Sequence, residues 1–260
     1  FYYFAYGAAV SIANSELAGN TVGIRVANNA TVDAGGGSLG SVGDNVLTGY
    51  SGVGGNYAIQ NLNTTVGVSA ENNDFGPYVA PGIIERFIFD DSDDASRTAV
   101  DFIPAQNQRS AVATVYVDDD WAGSYLGQDL GGLVFGVSAF DDISDAVAAV
   151  AVGGTVNILN GNYVESNVPV TRAMTIAGQS RDGVVIRSAL VDSNIDSSFG
   201  GSVYSYAFLL QSGGVTIRDL TIDGDDPGTA GVVEHNFRGG VMTDHRLGTV
   251  YNDITVQDIA

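Results

Sequence analysis

The chain has 260 residues, enough for one large domain or two small ones, with 45% hydrophobic residues, 35 glycines, 5 prolines, no cysteine and a net charge of −20. That balance excludes a disordered acidic tail, and the missing cysteines exclude disulfides and thiolate metal centres. So acidic a surface repels nucleic acid and anionic lipid, no apolar run reaches the ~18 residues of a membrane span, and carboxylates in this number favour hard cations such as calcium.

The start, Phe1-Tyr2-Tyr3-Phe4-Ala5-Tyr6, has neither a basic segment nor an initiator methionine, so it is not a signal peptide and reads as the middle of something longer. Three matching stretches follow it. They are Val10-Ser11-Ile12-Ala13-Asn14, then Thr31-Val32-Asp33-Ala34-Gly35, then Val66-Gly67-Val68-Ser69-Ala70. Their starts lie 21 and 35 residues apart, which predicts a stacked repeat with a loop inserted in its second rung. Strands are predicted between them at Val22–Val26 and Tyr57–Asn61. Asn14, Asn20, Asn45, Asn72 and Asn73 recur at equivalent turns, where asparagine tolerates a left-handed backbone and can hydrogen-bond along a stack.

Residues 105–111 read as a polar linker. Beyond it, Thr114–Val117 is predicted as a strand, followed by the acidic run Asp118-Asp119-Asp120 beside Trp121. A helix is predicted over Phe140 to Val152, with Ile143, Ala146, Val147 and Val150 on one face and Asp141, Asp142 and Asp145 in its first turns. Gly153-Gly154 is expected to end it. Strands are then predicted at Thr155–Leu159, Met174–Ala177, Val184–Arg187, Ala207–Gln211, Val215–Ile222 and Ile254–Ile259. An amphipathic helix placed before stacked strands would cover the first open edge.

Two segments resemble secreted bacterial proteins of the pectin-lyase-like superfamily, the right-handed parallel β-helices. One runs from Val68-Ser69-Ala70-Glu71-Asn72-Asn73-Asp74-Phe75-Gly76 into Ile83–Asp91 and Val100–Pro104. The other runs from Val115-Tyr116-Val117-Asp118 through the helix to Gly153–Ile158, and includes Gly214–Gly224. The resemblance implies an all-β solenoid with one short capping α-helix near 140–152. It also implies an unusual order of parts. Residues 1–104 would be the last rungs and end segment of one β-helix, and 112–260 the cap and first rungs of the next. Joining Ile254–Ala260 to Phe1–Gly7 on paper gives an uninterrupted rung.

The resemblance is specific for fold and not for reaction, because this architecture hosts lyases, hydrolases, adhesins and filaments. In its enzymes, lyases use calcium with arginine or lysine as base and hydrolases use clustered aspartates; this chain has no lysine. Asp223, Asp225, Asp226, His235, Asp244, His245 and Arg246 are the residues that could do acid–base work, although Asp223–Gly228 is equally turn chemistry. Asp118, Asp119 and Asp120, and Asp90, Asp91, Asp93 and Asp94, are the candidate calcium ligands, without the spacing of a known calcium loop. Phe1, Tyr2, Tyr3, Phe4, Tyr6, Ile254, Val256 and Ile259 would form apolar ends open to association. The expectation is an extracellular structural or adhesive protein of a surface layer or filament, assembling head to tail with copies of itself. A polysaccharide lyase or hydrolase, or a glycan-binding module taking extracellular polysaccharide, is the alternative.

Overall fold

The computed structural model describes residues 7–189, 195–196, 203–224, 237–244, 246 and 248–260, with only the backbone of 195, 196, 203, 204 and 238. The chain is mostly β, its strands arranged in parallel sheets, and it divides into two units: residues 1–110 with 123–137, and residues 111–122 with 138–260.

The first unit contains β1 (Ala9–Ser11), β2 (Val22–Val26), β3 (Thr31–Asp33), β4 (Tyr57–Asn61), β5 (Val68–Ser69), the short α1 (Gly82–Glu85), β6 (Ile88–Phe89) and β7 (Val100–Asp101). Alternate strands stack in parallel, in the orders β1-β3-β5-β7 and β2-β4-β6. The register aligns Val10, Val32, Val68 and Val100 in one column, and Ile24, Ile59 and Ile88 in another. β-Branched side chains repeated at one height pack against their own kind, and all of these except Val10 are buried. The spacing is therefore 22 and 36 residues (10 to 32, 32 to 68), one more at each step than the sequence repeat suggested. The correction has a physical reason: a one-residue slip would turn Val32 and Val68 out of the core.

Two columns of turn residues run beside these ladders. Asn14, Asp44 and Asn72 adopt left-handed backbones at φ 52°, 56° and 60°. One residue on, the buried Asn45 and Asn73 form a ladder, with Asn45 Nδ2 donating to Asn73 Oδ1 at 2.9 Å and to the Ala34 carbonyl at 3.0 Å. Asn73 Nδ2 donates to Ala70 O at 2.6 Å, and the ladder ends where the Ser15 amide donates to Asn45 Oδ1 at 3.1 Å. Asn20 stands apart, bonding the carbonyl of Leu17 within its own turn. The inserted loop 34–43 is organised by Asp33, whose carboxylate accepts from the amides of Gly35, Gly37, Leu39 and Ser41. Burial alone would raise its pKa; four N–H donors overcome that and hold it below the usual carboxylate range.

Residues 106–109 are pinned to this unit by Gln106 N to Asn73 O (2.8 Å) and Arg109 N to Tyr78 O (2.6 Å). Residues 123–137, which the sequence grouped with the second half, fold with the first unit: Leu126 and Phe135 are buried, and Val79 N donates to Gly136 O at 3.1 Å.

The second unit contains β8 (Val112–Val117), a 3₁₀ turn (Asp119–Trp121), β9 (Ala139–Phe140), α2 (Ile143–Ala149), β10 (Val150–Ile158), β11 (Gly161–Val164), β12 (Val168–Val170), β13 (Met174–Gly178) and β14 (Val184–Arg187). It continues with β15 (Ile195–Asp196), β16 (Val203–Leu210), β17 (Val215–Asp223), β18 (Phe237–Thr243) and β19 (Ile254–Ile259). Parallel pairing runs β9-β8-β10-β13-β17-β19, β11-β14-β17 and β12-β16-β18, and β15 pairs antiparallel to β16. β17 belongs to two ladders because it bends at Asp219 (φ 59°): Val215–Arg218 pairs with β13, and Thr221–Asp223 with β14. Val115, Val156, Ile176 and Ile217 form a fully buried column. On the opposite side of the same strands, Thr114, Thr155, Thr175, Thr216 and Thr255 stack as a threonine ladder.

The helix is shorter than predicted. It starts after Asp142, whose side chain accepts from Asp145 N, and ends at Ala149, because Val150 already pairs with Val112 in the β8 ladder. Gly153-Gly154 therefore does not cap a helix. These glycines lie in β10, at the register shift between Val150 and Thr155, and a Cβ on Gly154 would come within 2.6 Å of the Ala113 carbonyl. Ile143, Ala146, Val147 and Ala149 are buried on the helix's inner face. α1, a second short helix, was not predicted.

Candidate functional site

Three groups of residues carry candidate chemistry. The first is the turn after β8. Asp118 is the N-cap of the 3₁₀ turn, accepting from Asp120 N at 3.1 Å, and Asp119 Oδ2 accepts from Asn162 N at 3.0 Å. Gly161 is required there, since a Cβ would lie 2.1 Å from Asp119 Oδ1. The carboxylates of Asp118, Asp119 and Asp120 lie within 4.8 Å of one another. Burial, then the charges of Asp120 and Asp119, push the Asp118 carboxyl up. The buried Tyr163 phenol is pushed up by burial and by the charges of Asp119 and Asp118. Three hard oxygen donors held so close fit a cation of the calcium type, which would relieve their mutual repulsion.

The run at 90–94 is distributed differently. Asp90 is buried, with its oxygens on Ser92 N (2.9 Å) and Val100 N (2.7 Å). Asp93 accepts from Asp90 N, and Asp94 bonds Ser96 and pairs with Arg97 at 2.9 Å. Asp91 is exposed. These residues build a loop, and Glu85, which no sequence pattern marked, joins it by accepting from the Ser92 hydroxyl at 2.8 Å. Burial, with Asp90 and Asp93 nearby, pushes the Glu85 carboxyl up to about 7, against the Ser92 hydroxyl that donates to it.

Of the residues suited to acid–base work, Asp225, Asp226, His235 and His245 lie outside the described residues. Asp244 is buried and gripped by Arg246 through Nε–Oδ1 and Nη2–Oδ2 bonds of 2.7 Å, with Gln211 donating to Oδ2 at 2.9 Å. The Arg246 bonds, the largest influence, hold its pKa far below the carboxylate range despite burial, so at neutral pH it is a fixed anion and not a proton donor. Asp223 pairs with Arg187 at 3.2 Å.

The third group is the edge of the second unit. Ile254 and Ile259 are half-buried, while Val256, the next member of the buried Val115–Ile217 column, is 47% exposed. Beside it opens a recess of about 460 Å³ lined by Ile222, Phe237, Val241, Val256 and Ile259. Phe1, Tyr2, Tyr3, Phe4 and Tyr6, the other residues assigned to association, lie outside the described residues.

One further carboxylate escaped the sequence reading. Glu165 accepts from Ile143 N (2.5 Å), Ser144 N (2.9 Å) and Ser144 Oγ (2.6 Å) at the start of α2. Burial and the Asp142 charge push it up to about 7, against those three donors. At the other end of α2, Arg172 donates to the carbonyls of Ala148 and Val150 at 3.0 Å. Among the described residues, no helix is long and apolar enough to cross a membrane. No protein-family profile, curated protein or solved structure matches this chain.

Proposed function

We propose that this chain is an architectural unit of an extracellular surface layer or filament, built as rungs of a right-handed parallel β-helix and joined head to tail to further copies of itself. The observation that carries the reading is the column ending at Val256. Four residues at its height are fully buried by the strands stacked on them, and the fifth has no strand above it among the described residues. An unpaired parallel edge with an apolar recess beside it favours pairing with more chain. The first unit has the matching feature, because β1 and β2 each pair on one side only, among the described residues. Such ends are unlike each other, and contacts between unlike ends propagate into filaments.

The pectin-lyase-like resemblance supports the secreted setting. The arginine grip on Asp244 supports architecture over catalysis. Calcium at the Asp118–Asp120 turn belongs to the same reading, as a brace at the corner between β8 and β11. The test is sedimentation velocity and negative-stain microscopy of the chain across a concentration series, beside Val256→Asp. Assembly that grows with concentration and is lost in the variant is expected. Monomer at every concentration, or equal assembly in both, refutes the reading.

A further inference from the structure

The two open edges share a sequence element. Val215-Thr216-Ile217-Arg218-Asp219 and Ile254-Thr255-Val256-Gln257-Asp258 in the second unit have the same form as Val10-Ser11-Ile12-Ala13-Asn14 and Val68-Ser69-Ala70-Glu71-Asn72 in the first. In each, positions one and three point inward, position two outward, and position five ends the run with a left-handed residue. The four φ values there are 59°, 51°, 52° and 60°. Within each unit these elements already stack in register: Val215 lies on Ile254 and Ile217 on Val256, while Val10 and Val68 both lie on Val32. The outermost member is Ile254–Asp258 at one edge and Val10–Asn14 at the other.

We infer that a second copy of this chain docks by laying its Val10–Asn14 strand parallel on Ile254–Asp258, with Val10 on Ile254, Ser11 on Thr255, Ile12 on Val256 and Asn14 on Asp258. The inference rests on the head-to-tail reading and deepens it by naming the occupant of the β19 edge and its register. Inward, the docking continues a column of β-branched residues over the exposed Val256. Outward, it adds the Ser11 hydroxyl to the threonine ladder that ends at Thr255. At the corner it sets one left-handed turn on another, the arrangement already present between Asp219 and Asp258. Charge fits as well: Val10–Asn14 carries no ionised side chain and Ile254–Asp258 carries one, so no two carboxylates meet at this strand pair although the chain's net charge is −20. The asparagine ladder also closes before this edge. Its last member, Asn45, is already satisfied within this chain, donating to Asn73 Oδ1 and the Ala34 carbonyl and accepting from the Ser15 amide, and the Ser15 hydroxyl bonds the Ala13 carbonyl at 3.0 Å.

A shift of two residues would place Asn14 on Val256, and a shift of one would face the inward set outward. The chain has no cysteine, so single thiols can be introduced cleanly. Ser11 and Thr255 are both exposed. Full chains carrying Ser11→Cys and Thr255→Cys alone are to be mixed and oxidised mildly, then separated without reductant and the joined peptides identified by mass spectrometry. The mixed dimer should exceed either homodimer by about tenfold, because disulfides form only across Cα separations of ~4.4–6.8 Å. It should also exceed the mixed dimer of Ser11→Cys with Gln257→Cys. If the unsubstituted chain assembles but cross-links fall on the Gln257 pair, or on homodimers, this docking is wrong while assembly stands. If the unsubstituted chain does not assemble, the reading beneath it fails too.

Discussion

At the scale of single residues, the chain spends its carboxylates in opposite ways. Asp33 and Asp244 are ringed by donors and held as anions, whereas Glu165 and Glu85 are crowded by burial and neighbouring acids and pushed up to about 7. For Glu165 the sign follows from linkage. Its folded pKa lies above the unfolded value of ~4.3, so its stabilisation is complete below about pH 4 and is lost as pH rises through 7. Glu165→Gln keeps an acceptor for the α2 amides and removes that titration. In thermal unfolding at pH 4.5 and pH 8, the variant should gain on the parent with rising pH, by on the order of 1 kcal/mol. A constant difference between the two pH values would show that Glu165 is not the titrating group. The Asp118–Asp120 turn gives a second residue-scale test. Millimolar calcium should raise the unfolding midpoint, a chelator should reverse the gain, and Asp119→Asn should abolish it. Ligand at ~100 times its dissociation constant stabilises by ~2.7 kcal/mol, enough to read plainly in such a scan. An unchanged midpoint with calcium would leave the three carboxylates as a solvated turn.

At the scale of elements, strand positions were legible and strand registers were not. Val22–Val26, Tyr57–Asn61, Val184–Arg187 and Ile254–Ile259 form the predicted strands because alternating β-branched residues bounded by turn formers admit little else. The valine column 10-32-68-100 was hidden by a loop of unequal length in each repeat, and only its pairing shows which valine faces which. The helix was overextended at its C-terminal end because Val150 continues the helical spacing of Ile143, Ala146 and Val147 while also suiting the strand it enters. Glu165 was unreadable for a different reason: it caps α2 from a loop 21 and 22 residues away, and no local pattern records that. The bend of β17 carries its own prediction. Gly178 lies under Asp219, where an added Cβ would come within 2.0 Å of the Asp219 carbonyl oxygen. Backbone cannot yield as a side-chain tip can, so Gly178→Ala should cost at least ~2 kcal/mol in urea unfolding. A neutral result would mean that β13 and β17 do not pack as closely as this.

At the scale of the whole molecule, the second unit is covered at one end of its main ladder and open at the other among the described residues. α2 covers the buried start of the β8–β10 ladder, and nothing described covers β19. The edge strand was readable in outline, since Ile254, Val256 and Ile259 mark an apolar strand bounded by turn formers. What the sequence hid was that Val256 closes a column of four buried residues. Parallel strands stacked through such a junction would keep one spacing along the whole assembly. X-ray diffraction from an oriented sample of the assembled chain measures it directly. A reflection near ~4.8 Å along the fibre axis, the distance between neighbouring strands in a ladder, is expected. A ~4.8 Å reflection perpendicular to that axis, or none in an assembled sample, would contradict such stacking.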